Sequence, residues 1–187
     1  MKNFIAAFAL LCLAADAPQE IEGWKVIGDS IWAKSGSGFN SASGQHMIRS
    51  EQPLKPRCKL KATIQVNSIL DPTSFRCGVY VGQTEDEWAK GRRIEILLTQ
   101  EDFRIALLDY ATGTLQYKIL AKHSLTVPKS KPIPVLVILS SEQTHTTIRA
   151  QCLGKQIEAT VPYNLDGTHW GLLVTQGQAN FPKISCQ

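Results

Sequence analysis

The chain has 187 residues with 20 lysines and arginines against 16 aspartates and glutamates. That length suits one domain able to bury a core without depending on cross-links. A net charge of +4 is too mild for a nucleic-acid binder, and the basic stretches KPRCKLK and PKSKP carry no interleaved aromatics on which bases would stack.

Residues 1–17 begin with Lys2, continue as the apolar run FIAAFALLCLA and end in small residues, the layout of a secretory signal peptide cut after Ala14 or Ala17. The run is shorter than the ~20 residues that cross a bilayer. The sequence therefore predicts a secreted or periplasmic protein, without membrane insertion of the mature chain, whose single domain is residues 18–187.

The remaining sequence alternates in the period of β-strands. Residues 23–29 and 31–34 read as short strands around a turn, SGSGFNSASG as loop or edge, and 45–49 as another short strand. Residues 58–68 set Leu60, Ala62, Ile64 and Val66 on one face against lysines, Thr63 and Gln65 on the other. Residues 75–81 set Phe75, Cys77, Val79 and Val81 against Arg76, Gly78 and Tyr80. Residues 82–92, which include Glu85, Asp86, Glu87 and Trp88, form the most polar connection in the middle of the chain.

The segment RIEILLTQEDFRIALLDY is the clearest hairpin. With Gln100 and Glu101 as its turn, Leu98 opposes Phe103, Ile96 opposes Ile105, and Ile94 opposes Leu107. Three apolar pairs on one face fix a register, since a slip of one residue would turn all of them outward. A turn at 111–113 leads into a third strand, where Tyr117 is expected opposite Leu107 and Ile119 opposite Ile105. The run Val135–Leu139 is apolar at every position and is expected to be covered on both sides. A hairpin with Gly154 and Lys155 as its turn would place Cys152 opposite Ile157, Ala150 opposite Ala159 and Ile148 opposite Val161. Residues 170–175 and 179–186 close the chain as two strands. The total of about 12 to 14 short strands with turns between them predicts an all-β fold, a two-sheet antiparallel β-sandwich or jelly roll.

Beyond the leader stand Cys58, Cys77, Cys152 and Cys186, an even number in an exported chain, with three possible pairings. Parity points the first three inward. A hairpin of 58–68 with 75–81 would set Cys77 opposite Ile64, too far from Cys58, so Cys58–Cys77 is the disfavoured disulfide. Free buried thiols are the alternative.

Toward the C-terminus, the strand VLVIL, the hairpin TIRAQCLGKQIEATV and the ending HWGLLVTQGQANFPKISC resemble the closing part of a concanavalin A-like, laminin G-like jelly roll. The resemblance implies that Phe181 enters the core and that the last strand returns beside the N-terminal one. The opening GWKVIGDSIWAKSG is similar to the start of exported bacterial members, including the 3-keto-disaccharide hydrolase family. Only Glu95 corresponds to that family's acidic strand position. Where jelly-roll glucanases carry Glu-x-Asp-x-x-Glu, this chain reads Glu95-Ile96-Leu97, lacking the second carboxylate that two-carboxylate hydrolysis requires.

The candidate site follows from the non-core face of the central hairpin. Glu95 lies there with Arg104 diagonal to it and Lys118 on the next strand, while Tyr80 and Arg76 extend the same face from the preceding strand. Trp88 in the acidic loop offers an indole for stacking on a sugar ring. That loop is also a weak candidate for calcium, which needs oxygen ligands from several segments; no other cofactor is implied. The sequence has no nucleophile elbow, phosphate loop, dinucleotide fingerprint or zincin helix. The expectation is a non-catalytic module binding carbohydrate or another extracellular ligand. A divergent glycoside or 3-keto-disaccharide hydrolase and a structural interaction sandwich remain the alternatives.

Overall fold

A computed structural model describes residues 21–83, 91–110 and 113–187. The leader, the Glu85–Trp88 loop and two residues of the 111–113 turn lie outside the described residues. Among the described residues there are thirteen antiparallel strands: β1 (Trp24–Ile27), β2 (Trp32–Ser35), β3 (Gly38–Ser41), β4 (Gly44–Ser50), β5 (Arg57–Ile69), β6 (Arg76–Gln83), β7 (Arg92–Leu98), β8 (Asp102–Asp109), β9 (Gln116–Ser124), β10 (Ile133–Ser141), β11 (Thr146–Cys152), β12 (Lys155–Val161) and β13 (His169–Cys186).

The architecture is a jelly-roll β-sandwich whose two layers share β13. Its first half pairs with β4 and β6, and its second half with β5 and β3. One layer therefore runs β1-β4-β13-β6-β7-β8-β9, and the other runs β12-β11-β10-β5-β13, with β3 and β2 at its margin. The two closing strands expected from sequence are thus one continuous strand that changes layers through bulges at Thr175–Gly177 and beyond Gln178. Gln176, at φ 54°, takes the left-handed conformation that lets the chain turn between layers without ending its ladder.

Alternation fills the space between the layers. Ile48, Leu60, Ile64, Val79, Ile94, Ile96, Phe103, Ile105, Val137, Ile148, Leu172 and Phe181 are all buried in one cluster. Trp24, Trp32, Phe39, Trp170 and Phe181 form an aromatic network at one end, with ring centroids 4.8–6.4 Å apart. The Phe181 expectation holds, but β13 lies beside β3 and β4 rather than beside the N-terminal strand, because β4 stands between β13 and β1.

The central hairpin has the expected register, Ile94 with Leu107, Ile96 with Ile105 and Leu98 with Phe103. Four expectations about neighbouring strands change. β5 and β6 do not pair, because β13 pairs with both of them, one in each layer. The turn of the β11–β12 hairpin is Leu153-Gly154, so Cys152 opposes Lys155 and Ala150 opposes Ile157. Both turn residues have positive φ, 46° and 76°, as a type I′ turn requires, and the two-residue shift leaves every side chain on its expected face. β9 leaves the turn one residue out of the expected register, with Lys118 opposite Leu107, Tyr117 opposite Leu108 and Ile119 opposite Ala106, and a bulge at Leu120 follows. Tyr117 and Ile119 consequently point away from the core and stay 37% and 38% exposed. Finally, β10 is only half covered: Val135, Val137 and Leu139 are buried while Leu136 and Ile138 are partly exposed.

Candidate ligand-binding site

The layer containing the central hairpin buries part of its second face as well. Ile27, Met47, Tyr80, Leu97 and Leu173 form a separate apolar cluster there, one strand position out of phase with the main core. Gly171 makes this packing possible. A Cβ at that position would stand 2.1 Å from the Ile48 carbonyl and 2.5 Å from the Tyr80 ring, so glycine lets the phenol cross β13 and donate to the Ile48 carbonyl at 3.2 Å. Tyr80 is therefore fully buried, where the sequence reading placed it on the ligand-binding face.

Glu95 faces Tyr80 across the β6–β7 ladder. Its donor is Arg93, two residues earlier on the same strand, whose Nε donates to Glu95 Oε1 at 2.9 Å. The side chains are 1% and 2% exposed, and Glu95 Oε2 is buried with no hydrogen-bond partner. Burial pushes the Tyr80 hydroxyl well above the usual phenol range, opposed by the charges of Arg93 and Arg49 and reinforced by that of Glu95. Arg49, Tyr80, Arg93 and Glu95 thus form a charged cluster set into an apolar floor. The donors expected for Glu95, Arg104 and Lys118, are elsewhere.

Arg104 is held by Asp102, two residues away on β8. Its Nε and Nη2 donate to the two carboxylate oxygens, each at 2.6 Å. The preceding turn is locked by Thr99, whose hydroxyl donates to Asp102 Oδ1 at 2.9 Å and accepts from the Asp102 amide at 3.1 Å. Burial works against the Arg104 charge, but hydrogen bonds with Asp102 and Tyr117 outweigh it and raise its pKa. The Arg76 guanidinium lies 5.6 Å from the centroid of the Tyr117 ring, within cation–π range. Lys118 points to the opposite side of β9 from Tyr117 and is exposed.

Arg76, Arg104 and Tyr117 line one cavity of about 490 Å³ with Pro72–Phe75 and Thr99–Glu101. Its loop wall is ordered by Asp71, which accepts from the Thr73 amide and hydroxyl at 2.9 and 2.8 Å. Hydrogen bonds from Ser74 and Thr73 hold this carboxyl below its usual range. A fixed guanidinium, a fixed half-exposed ring and hydroxyl-bearing walls converge there with little rotamer freedom left to lose on binding.

Of the sequence candidates, the structure brings together Arg76 with Arg104, and Tyr80 with Glu95. It separates Lys118, and Trp88 lies outside the described residues. Tyr117 was missed because the connection from Asp109 to Gln116 sets β9 one residue out of the expected register, an offset that alternation alone does not reveal. Arg93 was missed although its position two residues before Glu95 already places the two on one strand face.

A second, larger groove of about 810 Å³ crosses the outer face of the other layer, lined by Lys61, Leu136, Gln151, Lys155, Lys183 and neighbouring residues. Among the described residues, no group of three His, Cys, Asp or Glu side chains is placed to hold a metal ion.

No family model and no curated protein matches the sequence. Solved structures do match its three-dimensional form. The carbohydrate-binding module CBM66 from Bacillus subtilis superposes with a TM-score of 0.63 at 14% identity, over 88% of this chain and 95% of that one. The shared feature is the jelly-roll fold. A legume lectin-like domain from Entamoeba histolytica gives a TM-score of 0.60 at 11% identity, over 89% and 90% of the two chains. An alginate lyase of polysaccharide lyase family 7 gives 0.59 at 8% identity, over 88% and 94%. At such identities the likeness concerns the jelly roll itself, which carries binding modules and enzymes alike.

Proposed function

We propose that this chain is an exported carbohydrate-binding module whose site is the cavity around Arg76, Arg104 and Tyr117. The observation that carries the reading is the preorganised Tyr117 ring, braced by two guanidiniums inside a cavity walled by polar loops. A sugar presents an apolar C–H face to an aromatic ring and hydroxyls around its edge. Tyr117 offers the ring, while Arg76, Thr73 and Ser74 offer groups for the hydroxyls. Arg76 has no acidic partner among the described residues and keeps its hydrogen-bonding capacity for a ligand. The jelly-roll neighbours that are named as carbohydrate-binding or lectin-like support the same reading, and the leader sequence supports export.

Glu95 then acts from behind, as part of the charged cluster beneath the face, rather than by touching the ligand. The test is a glycan array followed by calorimetry on the wild type and on Tyr117→Ala, Arg104→Ala and Lys118→Ala. The expected result is a ligand whose affinity falls at least tenfold with Tyr117→Ala and with Arg104→Ala and is unchanged by Lys118→Ala, in line with roughly 1–3 kcal/mol for a well-packed aromatic or arginine contact. An array without a ligand, or a ligand indifferent to both substitutions, refutes the proposal. Release of cleaved sugar by the same preparation would move the chain to the hydrolase reading.

A further inference from the structure

Cys186 is the last residue of β13. In the ladder with β5 it faces Leu60, and the following pair, Lys59 with Gln187, exchanges backbone hydrogen bonds at 2.8 and 3.1 Å. Side chains alternate along a strand, so Cys58, Leu60 and Cys186 project from one face. Cys58 stands diagonally across the tightly bonded Lys59–Gln187 rung from Cys186. Diagonal neighbours on adjacent strands come to about 7–8 Å between Cα atoms, just past the ~7 Å within which a disulfide closes without backbone movement, so closure draws the end of β13 toward β5. On this face Cys58 acts on Cys186 as its hydrogen-bonding neighbour. Cys58 is 3% exposed, whereas Cys186 is partly open to solvent.

We propose that Cys58 and Cys186 are a disulfide-forming pair that fastens the end of β13 to the start of β5. All four described cysteines are thiols in this structure, and of the three pairings open to the sequence only the one joining Cys58 to Cys186 unites neighbours on adjacent strands. Cys77 and Cys152 are left together in the core, where burial, followed by the charge of Cys152, raises the Cys77 thiol and keeps it unreactive.

The local chemistry gives the pair an order of reaction. The hydrogen bond from Cys58 lowers the Cys186 thiol to about 7, with Lys55 adding to the effect against burial. Cys186 is therefore the attacking thiolate. It displaces one thiolate from a small-molecule disulfide such as oxidised glutathione and becomes a mixed disulfide. Cys58 is held protonated chiefly by its contact with the Cys186 sulfur. Once that sulfur is no longer anionic, Cys58 loses its proton and attacks it, expelling the second thiolate. Two protein thiols are oxidised, one glutathione disulfide is reduced to two thiols, and the two protons pass to the departing thiolates.

The test treats the reduced full-length chain with oxidised glutathione, quenches with N-ethylmaleimide and maps peptides by mass spectrometry without reduction. The expected product joins the Cys58 peptide to the Cys186 peptide, with Cys77 and Cys152 labelled only after denaturation. Cys58→Ala should stop at the mixed disulfide on Cys186, and Cys186→Ser should leave Cys58 unmodified. Maleimide on both Cys58 and Cys186 after oxidation, a stable mixed disulfide in the wild type, or either residue joined to another cysteine would overturn the pairing.

Discussion

Replacing Arg93 by methionine isolates what the buried ion pair contributes. Arg93 and Glu95 are 1% and 2% exposed and share one 2.9 Å hydrogen bond, and the other Glu95 oxygen has no partner. Methionine keeps most of the arginine stem but withdraws the cation, leaving a carboxylate in an apolar floor without its nearest counter-charge. Breaking a buried pair this way costs about 3–5 kcal/mol. For a domain of this size each kcal/mol moves the melting temperature by about 2–4 °C, so Arg93→Met should melt about 6–20 °C below the wild type. The Arg149–Glu158 pair is an internal control. Its contact is shorter, 2.6 Å, but its side chains are 57% and 45% exposed, and in water such a pair contributes at most about 1 kcal/mol. Arg149→Ala should therefore shift the melt by no more than about 4 °C. The double variant Arg93→Met/Glu95→Leu should recover most of the loss, since no charge is left buried. Thermal melts followed by circular dichroism, with urea titrations as a second measure, decide the matter. If Arg93→Met melts within about 4 °C of the wild type, or the double variant melts as low as the single one, the reasoning from burial is wrong.

Other substitutions probe the geometry independently. Gly171→Ala would drive a methyl into the Ile48 carbonyl and the Tyr80 ring and should cost at least the roughly 1–3 kcal/mol typical of overpacking, read as a lowered urea midpoint. Leu153→Asn should stabilise the protein by roughly 0.5–1 kcal/mol, because Leu153 occupies a left-handed turn position while 41% exposed and asparagine tolerates that backbone better. The Cys186 thiol is lowered to about 7, so its alkylation by iodoacetamide should be slow at pH 5 and rise through half its maximum near pH 7. Cys58→Ala removes the hydrogen bond that favours the thiolate, so the rise should move to higher pH; an unshifted profile would show that Cys58 is not the cause.

The extent to which the site was legible follows from what side-chain alternation encodes. Ile94, Ile96, Leu98, Phe103, Ile105 and Leu107 are regularly spaced about a two-residue turn, and their pairing was readable to the residue. Arg76 and Arg104 were likewise placed on the correct face, because parity carries across any number of paired strands. Tyr117 was assigned to the wrong face, since the connection from Asp109 to Gln116 sets the register of β9 and an offset of one residue inverts every face. For Glu95 the face was readable but the partner was not. Arg104 and Arg93 are both within reach of it on the sequence grid, and the choice depends on Asp102 claiming Arg104 with both oxygens.

The distribution of glycines and apolar residues by itself determined that this chain forms short antiparallel strands with a two-sided core, because a period of two permits no other way to bury Leu60, Val79, Ile96 and Ile105 together. Tertiary structure alone decided which strands distant in sequence meet. β13 joins both layers by bending at Gln176, and that single path separates β5 from β6, brings Cys186 beside Cys58 and sets Gly171 under Tyr80. Local sequence specifies the face on which a side chain stands; the neighbour across that face is chosen by the global closure of the sandwich.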